Sequence, residues 1–178
     1  IGLYEAATMF YGPDWEQNPE AKTFTLDILR EMKQYQVAWT KQYDIWFSIY
    51  STPSESLTDR FCRLDKERFG AIPDITDKGY YQNSFHYDVR KDVTPFEKLD
   101  FEKDYPYYAS GGFIHYCEYP KLNHNLKALE AVWDYSYDKV GYLGTNIPID
   151  HCYRCDYDGD FETTANGYRC PHCGNACL

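Results

Sequence analysis

Polar and apolar positions alternate along this chain with a helical period in two stretches. Phe24, Ile28, Met32, Tyr35 and Trp39 recur at three- and four-residue steps, the spacing that lines one face of an α-helix. Asn18-Pro19-Glu20 reads as its start, with Asn as N-cap and Pro at the first helical position. The helix is expected to run to about residue 43. Leu126, Leu129, Trp133 and Tyr137 mark a second amphipathic face, with Asn123 as the expected cap. Between them, breakers bound a further helix from Pro53 to about Phe69, stopped by Gly70. Short apolar runs at 45–50, 113–116 and 142–145 fit buried strands, and 71–110, rich in Pro, Asp, Lys and Tyr, reads as long loops. Helices alternating with short buried strands predict an α/β arrangement with parallel pairing. Pro148 marks a boundary, dividing a unit at 1–148 from a small one at 149–178.

Composition narrows the class. Hydrophobic residues at 43% and charged residues at 26% are globular values. The 19 Tyr predict many half-buried surfaces, because Tyr joins an apolar ring to a polar tip. A net charge of −10 argues against a nucleic-acid partner, which needs basic patches to displace phosphate counterions. It does not exclude a small phosphorylated ligand held at a helix N-terminus. No apolar run approaches the roughly 20 residues needed to cross a bilayer, so no membrane association is expected. Seven Cys is an odd number for a secreted disulfide framework, and two C-x2-C pairs favour a metal in a reducing, cytoplasmic compartment.

Those pairs are Cys152 with Cys155 and Cys170 with Cys173. Two residues between cysteines let one tight turn present both thiolates to one ion, and two such turns close the tetrahedron of a structural Zn²⁺ site. Gly174 supplies the left-handed residue that such a turn often needs. Gly159, Asn166-Gly167, Phe161 and Tyr168 suggest a minimal hairpin between the pairs. Disulfides, free thiols or iron in the same site are the competing readings. Four thiolates leave no open position, so the expected role is structural. Asp150, Asp156, Asp158, Asp160 and Glu162 outnumber Arg154 and Arg169 there, which counts against phosphate-backbone binding.

Ser51-Thr52-Pro53-Ser54-Glu55-Ser56 joins an expected strand to an expected helix. With Thr52 as N-cap, the free N–H groups of the first turn and the Ser54 and Ser56 hydroxyls form a candidate phosphate site. The same residues also read as a capping box, in which Glu55 satisfies the helix itself.

Taken together, YSTPSESLTDRF (50–61), TDKGYYQNSFH (76–86), PFEKLDFE (95–102), GGFIHYCEYP (111–120), NLKALEAVWDYS (125–136), GTNIPIDHCYRC (144–155) and CPHCGN (170–175) resemble the anaerobic, class III ribonucleoside-triphosphate reductases. The resemblance implies part of a ten-stranded α/β barrel followed by a four-cysteine zinc ribbon, acting as a homodimer. It implies conversion of ribonucleoside triphosphates to deoxyribonucleoside triphosphates through a glycyl radical and a cysteine thiyl radical. A radical-SAM iron–sulfur activase and formate as reductant are part of the same expectation. It favours substrate-phosphate binding at Thr52, Ser54, Glu55 and Ser56, and makes Cys152, Cys155, Cys170 and Cys173 the zinc ligands. The thiyl cysteine is expected upstream, and the radical glycine's Arg-Val-Cys-Gly-Tyr string is absent after Cys173, so no catalytic residue is assigned within these residues. Cys62 and Cys117 read as buried residues, and His86 as either a substrate contact or a structural loop residue. Glu118 and Asn146 are candidates for the barrel mouth. The alternative reading is a stand-alone zinc-ribbon assembly module without catalysis; another glycyl-radical enzyme acting on a carbon skeleton is disfavoured by the ribbon.

Overall fold

The computed structural model describes residues 1–51, 54, 56–120, 122, 125–147, 150–164 and 167–177. Five α-helices dominate them: α1 (Leu3–Tyr11), α2 (Pro19–Tyr43), α3 (Ser56–Phe69), α4 (Pro95–Glu102) and α5 (Leu126–Ser136). Strands β1 (His115–Glu118) and β2 (Leu143–Asn146) pair in parallel across α5, with His115 opposite Leu143 and Glu118 opposite Asn146. Three further short strands, β3 (Glu162–Thr164), β4 (Gly167–Arg169) and β5 (Ala176–Cys177), form an antiparallel sheet in the ribbon.

This corrects the barrel expectation. Among the described residues there is one two-stranded and one three-stranded sheet, and no ten-stranded closure; the chain is mostly helical. The run at 45–50 leaves α2 without strand structure. Its backbone meets another backbone, among the described residues, at its end, where Gly111 N donates to the Ile49 carbonyl at 2.8 Å and Ser51 N donates to the Gly112 carbonyl at 3.0 Å. With no ladder beside it, Ile45, Trp46 and Tyr50 stay exposed. The parallel β1–α5–β2 unit is the part of the α/β expectation that forms.

Local signals explain the helices. Asn18 caps α2, accepting the Glu20 N–H at 2.9 Å. Gly70 ends α3 at φ 84°. The cap of α5 is Asn125, whose side chain accepts from Ala128 N; Asn123 lies outside the described residues. Two helices arise where loops or nothing were expected. α1 packs against α2, and α4 opens with a complete capping box, Thr94 and Glu97 exchanging bonds around Pro95.

The main core is aromatic. Tyr4, Trp15, Phe85, Tyr87, Phe101 and Tyr105 close around Ala7 and Ala21, with Tyr4 and Trp15 centroids 5.2 Å apart and Phe85 stacked on Tyr105 at 5.4 Å. A second core joins α4, α5 and β1 through Leu99, Val132, Cys117 and Tyr119. Of α2, Ala21, Thr25, Leu26 and Leu29 pack inward; of its expected apolar face, Phe24 and Ile28 are half-buried, and Met32, Tyr35 and Trp39 are exposed.

Candidate functional site

The four ribbon cysteines converge. Their Sγ atoms all lie within 4.8 Å of one another, with Cys152 3.6 Å from Cys173 and Cys155 3.7 Å from Cys170. A disulfide would need about 2.05 Å. Four sulfurs at about 2.3 Å from a central zinc stand about 3.8 Å apart, so the arrangement fits a tetrahedral metal.

Two matching turns build it. In the first, Cys152 N donates to the Tyr157 carbonyl and the Cys152 carbonyl accepts from Asp156 N, both at 2.8 Å; in the second, Cys170 N donates to the Asn175 carbonyl and its carbonyl accepts from Gly174 N, both at 2.9 Å. Gly174 has φ 69°, as expected, and Asp156 holds the equivalent place at φ 56°. Asp tolerates this region better than most side chains. Burial opposes ionisation of both thiols of the first turn; the backbone N–H groups of Arg154 and Cys155 lower that of Cys152, while the neighbouring sulfurs raise that of Cys155, and a bound metal would take both as thiolates.

Of the serine-rich turn, Thr52, Pro53 and Glu55 lie outside the described residues. Ser54 is nearly buried at φ 63°, and its carbonyl accepts from Leu57 N at 2.8 Å as α3 begins. Ser56 is the exposed first residue of α3. Cys62, on the inner face of α3, is fully buried, its thiol near the carbonyls of Ile75 and Thr76.

Glu118 and Asn146 sit opposite each other at the C-terminal ends of β1 and β2. With Tyr119, Thr145, Asp150 and Asp160 they line a cavity of about 360 Å³ between these strand ends and the ribbon.

Sequence reasoning missed a closed polar cluster behind those strand ends. Glu102 is wholly buried. Its Oε1 accepts the Tyr87 N–H at 2.8 Å and lies 3.4 Å from Lys98 Nζ. Its Oε2 lies 3.2 Å from His86 Nδ1 and 2.6 Å from His115 Nδ1, the latter contact short but not aligned as a hydrogen bond. His115 Nε2 then meets the Cys117 thiol at 3.3 Å. Burial opposes ionisation of Glu102, yet Lys98, His115 and His86 hold its carboxyl well below the usual range. Burial pushes the Cys117 thiol up to about 11, so it stays neutral. His86 is thus buried and bonded to Glu102 in this core, and the expectation that Cys117 is buried holds. The alternating pattern of β1 offered one signal, since His115 and Cys117 share a face; nothing local announced Glu102 as their partner.

The model of the anaerobic ribonucleoside-triphosphate reductases matches residues 1–177. The chain belongs to that family. The reductase of Haemophilus influenzae is 54% identical over 179 residues, and that of Escherichia coli 52% over 176; each alignment takes in 98% of this chain and 25% of the relative. The reductase of phage T4 is 46% identical across 83% of this chain and 24% of its own length. The chain thus spans about a quarter of the curated reductases it matches. Among solved structures, the Thermotoga maritima anaerobic ribonucleotide reductase with MES in its active site superposes with a TM-score of 0.63. It is 19% identical over 89% of this chain and 25% of that one, a likeness of fold. Among the described residues no helix is long and apolar enough to cross a membrane.

Proposed function

We propose that this chain works within an oxygen-sensitive reductase that turns ribonucleoside triphosphates into 2′-deoxyribonucleoside triphosphates. The observation that carries this reading is the match to reductases at over 50% identity along 98% of the chain. In this reading a separate radical-SAM iron–sulfur activase installs a glycyl radical, which generates a cysteine thiyl radical. The thiyl abstracts the ribose 3′ hydrogen, water leaves the 2′ carbon, and formate supplies the reducing electrons. The enzyme acts as a homodimer in a reducing cytoplasm.

The chain itself contributes two things. Residues 149–178 form a ribbon in which Cys152, Cys155, Cys170 and Cys173 hold one Zn²⁺, and the sulfur spacings support that choice. Bound zinc supplies a cross-link, not a reaction step, because four thiolates fill its coordination. Residues 1–148 carry the turn at Thr52, Ser54, Glu55 and Ser56, which receives the substrate's phosphates. The exposed Ser56 hydroxyl at the start of α3 and the helix's partial positive charge favour an anion there.

The test is Ser54→Ala with Ser56→Ala in the full-length, activated reductase. Loss of a neutral donor to a charged phosphate costs about 1.5–3 kcal/mol, so KM should rise at least about tenfold with radical content unchanged. Unchanged KM with lower thermal stability would reduce the turn to a helix cap.

A further inference from the structure

The backbone that leads into the Ser54 turn is clamped from two sides. At its start, Gln36 Nε2 of α2 donates to the Phe47 carbonyl at 2.6 Å, and Phe47 N donates to Thr40 Oγ1 at 3.2 Å. At its end the clamp is a pair of glycines: Gly111 N donates to the Ile49 carbonyl and Ser51 N to the Gly112 carbonyl. Ser54 follows Ser51 by three residues, and α3 begins two residues later.

Gly111 is constrained by space and Gly112 by backbone conformation. A Cβ on Gly111 would stand 2.8 Å from Ser48 Oγ and 3.0 Å from the Ile49 carbonyl oxygen. A Cβ 3.0 Å from a backbone oxygen is tighter than most real contacts, so the Ile49 carbonyl, which also accepts from Gly111 N, must shift by a few tenths of an ångström. Gly112 has φ 121°, which L-residues rarely adopt, and its missing Cβ would already touch the Tyr50 ring at 3.5 Å. Gly112 N also closes a turn onto the Ala109 carbonyl at 3.1 Å, which fixes the pair relative to the aromatic core.

We propose that Gly111 and Gly112 are positioning residues for substrate binding: by letting two backbones meet without side chains, they set where Ser51, and hence Ser54 and the first turn of α3, stand. This rests on the phosphate reading of Ser54 and Ser56. The glycines touch no substrate and act through the register of the segment they clamp. A methyl at 111 displaces Ile49 and Ser51 together, and the displacement passes to the turn three residues on.

The experiment uses the full-length, activated reductase and a ribonucleoside triphosphate as substrate. Gly111→Ala should raise KM about tenfold, leaving kcat within about twofold and radical content unchanged. Adding Ser48→Ala removes the oxygen nearest the new methyl and should recover part of the loss, the Ile49 carbonyl contact remaining, while Ser48→Ala alone leaves KM as it was. Gly112→Ala, strained but without overlap, is the gentler second variant and should raise KM less. Unchanged KM in both glycine variants, with only thermal stability lowered, overturns the positioning role. If that happens while Ser54→Ala with Ser56→Ala still raises KM, the phosphate reading stands and this inference alone falls. If the serine variant also leaves KM unchanged, both fall.

Discussion

Replacing Glu102 by Gln tests whether the buried cluster behind β1 is held by charge. Gln keeps an acceptor for the Tyr87 N–H but carries no charge. Lys98, whose side chain is 5% exposed, then loses its buried counter-ion. The next carboxylate, Glu118, stands 3.8 Å away and is half exposed, so it compensates weakly. Breaking a buried pair by removing one partner costs about 3–5 kcal/mol. For a chain of this size each kcal/mol lowers Tm by about 2–4 °C, so the loss should be roughly 6–20 °C. The pH dependence carries a sign. The folded carboxyl is held well below the ordinary 4.5, so its stabilisation is complete above that value and is lost as pH falls below it towards the folded pKa. Glu102→Gln should therefore lack one titrating proton on the acid limb, a slope shallower by up to ~1.4 kcal/mol per pH unit below about pH 4.5. Denaturant unfolding followed by circular dichroism at several pH values measures both quantities. A loss under 1 kcal/mol at neutral pH, or acid limbs of equal slope, would refute the argument.

Two further outcomes follow from the ribbon and the parallel pair. Elemental analysis of chain purified without chelator should find about one zinc, and Cys170→Ser should abolish it and unfold the ribbon while α2 stays folded; near-zero metal, or a Cys152–Cys155 disulfide, contradicts the site. Gly144→Ala would put a methyl 2.9 Å from the Tyr116 ring, and overpacking of this kind costs about 1–3 kcal/mol, measurable as a lower denaturation midpoint; an unchanged midpoint would mean that the ring moves aside freely.

How much of this was legible in the sequence depended on how local each signal was. The start of α2 rests on Asn18 and Pro19, the end of α3 on Gly70, and the second cysteine turn on Gly174; each acts within a few residues and was readable. The four-cysteine site was equally plain, because spacing alone brings the thiolates together. α4 was missed although Thr94-Pro95 and Glu97 spell out its capping box, since the surrounding Pro, Asp and Tyr suggested loops. The strand at 45–50 failed for the opposite reason. Its residues suit a strand, but strands need partners, and among the described residues only Gly111 and Gly112 meet its end. The barrel expectation came from resemblance rather than from any pattern in these residues, and the helices that dominate them overturn it. The Glu102 cluster was invisible because its members, at 86, 98, 102, 115 and 117, converge only after α4 packs on β1.

The Glu102 cluster also constrains how this sequence can change over generations. Lys98, His86 and His115 surround Glu102 in a nearly closed space, and the loss of the carboxylate leaves the other three without their shared partner. An apolar set of matching volume could fill the same space with little net cost, yet every route to it by single substitutions passes through forms missing one member. Such residues are expected to be inherited as a block, kept together or exchanged together.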